Sequence, residues 1–401
     1  MKVVVITHNY IRRHGDLTAL YLHRLSSGLT AKGIELTVVC PHAPGLLRRD
    51  TIDGVRIIRF SYPFSTHKPI VYTGNMHQEV AGSVAAKAIF AAFLNSFYFA
   101  ARRVCRQVRP DVIWANWWIP PGMVAARISA SMKIPLVISS HGTDIALLKK
   151  RGIFSTLSSY VYARTAKASV VSNFLKETLT ENVTAISPDD VAVIPMPVGM
   201  EHFPKTVPPE NDIPVFLSVA RFSRQKRLDD IIAAAEKIIA KLASTERPPF
   251  KVVMVGEGPL ENELKEIVQS RGLNDIFDFI PLVAQQRLGE LYRQSDAVIL
   301  SSENEGFGLV LVEAGLTSRP LIGARSGGII DVINDGENGL LYEVGDVEGL
   351  ARCMTSLIES PARRAALGEG GYVRAMENFA TPVLVDKIYD LFQAVVGDKT
   401  E

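Results

Sequence analysis

The chain alternates, twice over, short apolar runs with longer stretches of helical period, and that alternation restricts it to a parallel α/β architecture. In the first half the apolar runs fall at residues 2–7, 36–40, 55–60, 111–115, 135–139, 168–172 and 191–194. Helical periods such as 17–31 and 122–132 lie between them. Strands buried on both faces read as continuous Val/Ile/Leu runs, without regular polar alternation. Six prolines then crowd into residues 195–214: Pro195, Pro197, Pro204, Pro208, Pro209 and Pro214. Proline lacks an amide proton and interrupts sheet ladders, so this stretch reads as a linker. Beyond it the alternation restarts, with strands at 215–220, 251–255, 277–280, 297–300 and 320–323. Helices are expected at 228–242, 260–271, 308–316 and 348–359, and a last amphipathic period covers 381–396. The expected architecture is two Rossmann-like domains, 1–204 and 205–379, facing across a deep cleft, with a terminal helical segment 380–401.

A chain of 401 residues can bury two ordinary cores. Its net charge of +2 gives no pointer to nucleic acid. Cys40, Cys105 and Cys353 match no metal-ligand spacing, and an odd, scattered set fits a reducing compartment. The apolar run after Met1 is too short for a signal-peptide core and lacks a cleavage site, so a cytoplasmic location is expected. No window has the long, charge-free apolar run of a membrane span. Segment 80–109 comes nearest but carries Lys87, Arg102, Arg103, Arg106 and Arg109. It reads either as a core-facing helix with a basic outer side or as a helix lying on an anionic membrane surface.

The strongest chemical signal runs from Ser301 to Ala314, SSENEGFGLVLVEA. A buried strand ends near Leu300, a glycine turn follows, and a helix starts near Gly308. Unbonded amides at a helix start favour an anion, and Gly306 and Gly308 let backbone approach a ligand. Glu305 falls in the turn; Glu313, about a turn and a half into the helix, suits a ribose diol. Upstream, Arg221 follows a strand directly and Lys226 comes five residues later. Two cations at a strand's carboxyl end suit a diphosphate and would stabilise it as a leaving group. The neighbouring Arg224 and Arg227 read as solvated charges. Gly256, in Val255-Gly256-Glu257-Gly258-Pro259, marks another strand-to-helix turn, and Ser326-Gly327-Gly328 could form an amide-rich turn.

In the first half, Ser140-His141-Gly142-Thr143-Asp144 follows a strand. His141 there can donate to a sugar hydroxyl or share a proton, while Asp144 could orient it or cap a helix. Arg13-His14-Gly15-Asp16 lies between the first strand and first helix. Gly15 and Asp16 could bring loop amides to a phosphate, with Asp16 also a natural N-cap. No Gly-x-Gly-x-x-Gly follows the first strand, which argues against a nicotinamide oxidoreductase.

Together these motifs resemble the retaining glycosyltransferases of family GT4, over nearly the whole length. Glu305-Gly306-Phe307-Gly308 through Leu309, Val310 and Glu313 looks like the family's EGFG…E signature. Arg221 and Lys226 look like its paired diphosphate-binding cations, Val255 to Pro259 like its VGxGP strand end, and His141 to Asp144 like its HGxD segment. The resemblance implies a GT-B fold, an acceptor on the N-terminal domain, and a final helix crossing back to that domain. It implies a donor nucleoside diphosphate sugar, UDP- or GDP-linked, with backbone near Val283 reading the base. The acceptor would be a sugar, a lipid-linked sugar or a small molecule, and no cofactor, metal or nucleic acid is expected. His141, Glu305, Arg221 and Lys226 would do the chemistry, with domain closure bringing His141 and the Gly15 loop against the donor. The sequence departs from the pattern at His14-Gly15, at Met196-Pro197 and at Ser318-Arg319, where the family usually has glycine or Asn-Gly. A sugar phosphorylase or nucleotide-sugar hydrolase on the same fold, or a silent nucleotide-sugar-binding partner, is the alternative function. Oligomeric state leaves no mark in the sequence.

Overall fold

The computed structural model describes residues 1–16, 18–63, 83–150, 152–209, 211–241 and 249–397. Its contacts divide the chain into two compact units. The first comprises Met1–Val171, Leu175–Pro197 and Thr381–Glu401; the second comprises Ser172–Phe174 and Val198–Ala380.

Up to Pro197 the chain forms β1 (Lys2–Ile6), α1 (Leu20–Ala31), β2 (Glu35–Pro41), β3 (Arg49–Ile52), β4 (Val55–Phe60), α2 (Val84–Val108), β5 (Val112–Asn116), α3 (Met123–Met132), β6 (Leu136–Ser140), α4 (Ile153–Tyr162), β7 (Lys167–Val170), α5 (Asn173–Asn182) and β8 (Val191–Val193). The sheet order is β3-β4-β2-β1-β5-β6-β7-β8. All pairings are parallel except the β3–β4 hairpin. β5 and β6 are buried at every position, as central strands covered on both faces must be. The second unit carries β9 (Val215–Val219), α6 (Leu228–Lys241), β10 (Lys251–Val255), α7 (Glu261–Ser270), β11 (Phe277–Ile280), α8 (Gln285–Gln294), β12 (Ala297–Leu300), α9 (Leu309–Leu316), β13 (Leu321–Ala324), α10 (Ile329–Val332), β14 (Gly339–Tyr342), α11 (Val347–Glu359) and α12 (Pro361–Asn378). Its six strands run in the order β11-β10-β9-β12-β13-β14, all parallel. This is the doubly wound dinucleotide-type order, reversing between β9 and β12.

The last helix, α13 (Thr381–Gly397), completes the first unit. Its Leu384, Val385, Ile388, Phe392 and Val395 are buried in the core that β1, β2 and α1 build. The Phe392 ring meets Trp114 of β5 edge-on at 5.4 Å. Gly28 of α1 leaves no room for a Cβ against Val385, so α1 and α13 pack at close range.

Several elements depart from the sequence expectation. The helix expected over 17–31 starts at Leu20, with Ala19 at its N-cap in the left-handed region, so Asp16 does not cap it. Leu17, and Leu242 at the end of the expected 228–242 helix, lie outside the described residues. β3 and β14 are additional strands. The first is a charged hairpin edge, Arg-Asp-Thr-Ile, and the second a four-residue Gly-Leu-Leu-Tyr, both too short for a periodic signal. The helical stretch after Gly328 is the four-residue α10, followed by an isolated bridge between Asp335 and Gly339.

Candidate active site

In doubly wound sheets ligands sit beyond the carboxyl ends of the strands where the order reverses. In the second unit those strands are β9 and β12, and their following loops carry Arg221 to Lys226 and Ser301 to Gly308. Direct bonds join the two loops. The Lys226 ammonium lies 2.5 Å from Glu305 Oε2, with both side chains largely shielded. Ser301 Oγ donates to the Lys226 carbonyl at 2.7 Å, the Glu303 amide donates to the Gln225 carbonyl at 2.8 Å, and Gln225 Nε2 donates to the Asn304 carbonyl at 3.1 Å. Arg221 opens the same loop, is exposed, and has no ion pair among the described residues. Arg227 is not a solvated charge: its guanidinium clamps Asp230, in the first turn of α6, at 2.7 and 3.1 Å.

A third loop supports the Glu305 turn from behind. The Asn304 amide donates to Ser326 Oγ at 2.8 Å and the Gly328 amide to the Glu305 carbonyl at 2.8 Å. A Cβ on Gly327 would overlap the Glu305 carbonyl, and one on Gly328 would sit 2.6 Å from the Gly306 oxygen. The Ser326-Gly327-Gly328 glycines therefore serve backbone-to-backbone packing, and their contacts fix where Glu305 points. Gly256, at φ 146°, plays the same part after β10, because any Cβ would collide with the Ala220 carbonyl just before Arg221.

α9 begins at Leu309 with Gly308 at the N-cap, φ 94°. The Leu311 amide returns to the Gly308 carbonyl, and the amides of Leu309 and Val310 come ahead of the first intrahelical bond. The Phe307 ring is buried against Phe379, centroids 5.6 Å apart, so a ligand could meet only its backbone. Glu313 is buried one turn further and accepts a 2.8 Å hydrogen bond from the Tyr292 hydroxyl of α8. Burial, then the Glu313 carboxylate, hold the Tyr292 phenol well above its ordinary pKa, so it stays a donor. Val283 lies in the loop after β11, two strands from β9 on the same carboxyl side.

Ser318 and Arg319 account for one departure from the family pattern. Ser318 adopts φ 59°, the region that glycine fills without strain, and its side chain is buried. Arg319 is almost wholly buried and donates to the Tyr292 carbonyl (3.1 Å), Thr206 Oγ1 (2.6 Å) and the Val207 carbonyl (2.8 Å). Burial lowers its pKa to about 10. This arginine anchors the chain after Val198 onto the end of α8, so part of the proline-rich stretch is a packed strap of the second unit.

In the first unit the sheet order reverses between β1 and β5. His141 follows β6, and its Nε2 lies 3.1 Å from Asn116 Oδ1 at the end of β5. The imidazole packs against Tyr21 at 4.7 Å and Trp117 at 5.4 Å; Trp117 in turn meets His8, at the end of β1, at 4.3 Å. Burial, and next the neighbouring His8, lower the His141 pKa to about 3, so it is a neutral hydrogen-bonding group at physiological pH. Asp144 neither orients the ring nor caps a helix through its side chain. Its buried carboxylate accepts the amides of His141, Gly142 and Trp118 at 3.1–3.2 Å. Asp16, likewise, is bound inside its own loop by the Arg12 side chain and the Arg12 and Thr18 amides. Partial burial opposes its ionisation, but the Arg12 bonds prevail and hold it well below the carboxylate range. Gly15, at φ 76°, faces open space. Asn116, His8 and Tyr292 carried no motif of their own; position at a strand end marks the first two, and nothing in the sequence marks the third.

Two family models match, one on each part of the chain: "Glycosyltransferase Family 4" over residues 18–202 and "Glycosyl transferases group 1" over 199–374. The chain is 26% identical over 306 residues to N-acetyl-alpha-D-glucosaminyl L-malate synthase from Bacillus anthracis, covering 74% of this chain and 77% of that protein. It is 24% identical over 394 residues to the lipopolysaccharide core biosynthesis glycosyltransferase LpsE of Rhizobium meliloti, covering 96% and 98%. Among solved structures, sucrose-phosphate synthase from Thermosynechococcus elongatus superposes with TM-score 0.78 at 18% identity, covering 99% and 100% of the two chains. HepE of Anabaena, in complex with UDP, does so with TM-score 0.72 at 17% identity, covering 98% and 100%. Two parallel-sheet α/β units with these neighbours define a GT-B fold, and the two family models, which between them span residues 18–374, make the chain a glycosyltransferase. The chain belongs to the family that the group 1 and Family 4 models describe.

Proposed function

We propose that the chain transfers a glycosyl residue from a UDP- or GDP-sugar to a hydroxyl of a sugar, lipid-linked or small-molecule acceptor, with retention at the anomeric carbon and without a divalent ion. The observation that carries this is the bonded meeting of Lys226 and Glu305 at the β9/β12 reversal, beside the start of α9 and Arg221, which has no ion pair among the described residues. That HepE was solved with UDP-glucose adds to it.

In this reading the diphosphate takes the place at Lys226 that Glu305 shares in the free protein. Lys226 has three donor hydrogens and can hold a phosphate oxygen and the carboxylate together. Glu305, relieved of part of its pairing, is then an acceptor for hydroxyls of the transferred sugar. Arg221 and the Leu309 and Val310 amides complete a positive cradle, supplying the charge stabilisation that a metal ion gives in other transferases. As the bond from the anomeric carbon to the phosphate oxygen breaks, charge grows on that phosphate and the cradle stabilises it. The acceptor oxygen attacks from the same face, and its proton passes to the departing phosphate. Glu313 accepts from the ribose hydroxyls. His141, neutral at physiological pH, serves as a hydrogen-bonding group of the first unit and not as an acid. We assign the reaction to the cytoplasm, where free cysteines stay reduced.

The test is a panel of UDP- and GDP-sugars with candidate acceptors in excess chelator, the products followed by proton NMR of the anomeric position. An α-linked product from an α-linked donor, formed at an unchanged rate in chelator, is expected. A β-linked product or loss of turnover in chelator contradicts the reading, and nucleotide release that ignores the acceptor indicates a hydrolase.

A further inference from the structure

We propose that α2 is a membrane-surface helix, seating the first unit on an anionic lipid bilayer. Nothing in the transfer chemistry uses this helix, yet its composition is unusual for a surface element. Over Val84–Val108 it is long and apolar enough to cross a membrane, while only 17% of its most apolar stretch is buried. Its inner face is accounted for: Phe93, Phe97, Ala101, Val104 and Cys105 are buried, with Phe97 stacked on Phe60 of β4 at 4.7 Å and Phe93 tilted against the same ring at 5.8 Å. That packing fixes α2 against the sheet and excludes a spanning role. The outer face is the anomaly. From Val84 to Ala92 no residue is buried, although Lys87 is the one polar residue in that run. Val84 is 83% exposed and Phe99, mid-helix, 64%. A water-facing stripe is normally polar.

The charges complete the picture. No Asp or Glu occurs from residue 83 to residue 110, while Lys87, Arg102, Arg103, Arg106 and Arg109 do. On the exposed stripe, Lys87, Ala91, Asn95, Phe99, Arg103 and Arg106 follow one another at helical spacing. Neither Arg103 nor Arg106 has an ion pair among the described residues. At the C-terminal end of α2, Gln107 and Val108 share an open groove of about 820 Å³ with Arg49 and Arg56, which are likewise without ion pairs among the described residues, while the groove's carboxylates, Glu35 and Asp50, are paired with Lys2 and Arg59. Arginines without ion pairs among the described residues, around an apolar, solvent-facing helix, match the two requirements for an in-plane interfacial helix: apolar area for the acyl boundary and cations for anionic headgroups.

The full-length chain is to be sedimented at low salt with phosphatidylcholine vesicles, with and without phosphatidylglycerol. Pelleting only with phosphatidylglycerol, abolished by molar salt, is expected. R103S combined with R106S should weaken it roughly 30-fold, from the attraction of each cation to an anionic surface. A Phe99→Trp variant, checked by circular dichroism for native fold, should show blue-shifted emission on adding the same vesicles. Wild-type protein that stays in the supernatant with phosphatidylglycerol vesicles overturns the proposal. So does Trp emission at position 99 that ignores the vesicles, or light scattering showing a dimer in which the Phe99→Trp emission is already buried.

Discussion

Replacing Lys226 by alanine is expected to lower kcat about 10²–10³-fold with donor saturating, the usual cost of removing one group that stabilises developing charge. Lys226 is bound on two sides in the free protein, its ammonium to Glu305 and its carbonyl to Ser301 Oγ. Its removal leaves the Glu305 carboxylate without its cation, facing an incoming diphosphate. The defect should therefore exceed that of Glu305→Gln, and K226A combined with E305Q should do less harm than the sum of the two single changes. Lys226→Arg should rescue only in part, since a planar guanidinium does not reproduce a compact ammonium in this shielded corner. Steady-state rates for the four variants decide the matter. Wild-type kcat in Lys226→Ala would remove the lysine from the chemistry.

The second large effect falls on binding. Glu313→Ala is expected to weaken nucleoside diphosphate affinity on the order of 100-fold, the loss of hydrogen bonds to a charged acceptor. It also leaves the buried Tyr292 hydroxyl without the Glu313 oxygen it now bonds at 2.8 Å, so a lowered melting temperature should accompany it. Tyr292→Phe separates the two consequences: it loses the same internal bond but keeps the carboxylate, and should bind the nucleotide nearly normally. Titration calorimetry on both variants provides the comparison. Unchanged affinity in Glu313→Ala would end its ribose role.

Both predictions rest on features readable in the sequence to different depths. The central strands were legible because strands covered on both faces must be continuously apolar, as in Val3-Val4-Val5-Ile6 and Ala297-Val298-Ile299-Leu300. The Glu305 turn and Arg221/Lys226 loop were legible because glycines and charges clustered just past such strands. Their direct bonding could not be read, since β9 and β12 are neighbours only through the crossover order of the sheet. The partners of buried charges were equally hidden. Asp16 looked like a helix cap because an acid before an apolar period usually is one, but Arg12 claims it four residues upstream. Asp144 looked like a partner for the His141 ring, but backbone amides saturate it. Arg319 looked like a departure from pattern and proved to be a buried clasp on Thr206 and Val207. Short elements such as β3 and α10 gave too few residues for a period to show.

The central claim is that one crevice at the β9/β12 reversal receives the donor's diphosphate. A crystal structure of the chain soaked with UDP or GDP addresses it directly. The expected result places the terminal phosphate within hydrogen-bonding distance of Arg221, Lys226 and the amides opening α9, with Lys226 shared between that phosphate and Glu305. Nucleotide bound elsewhere, leaving Lys226 to Glu305 alone, would contradict it.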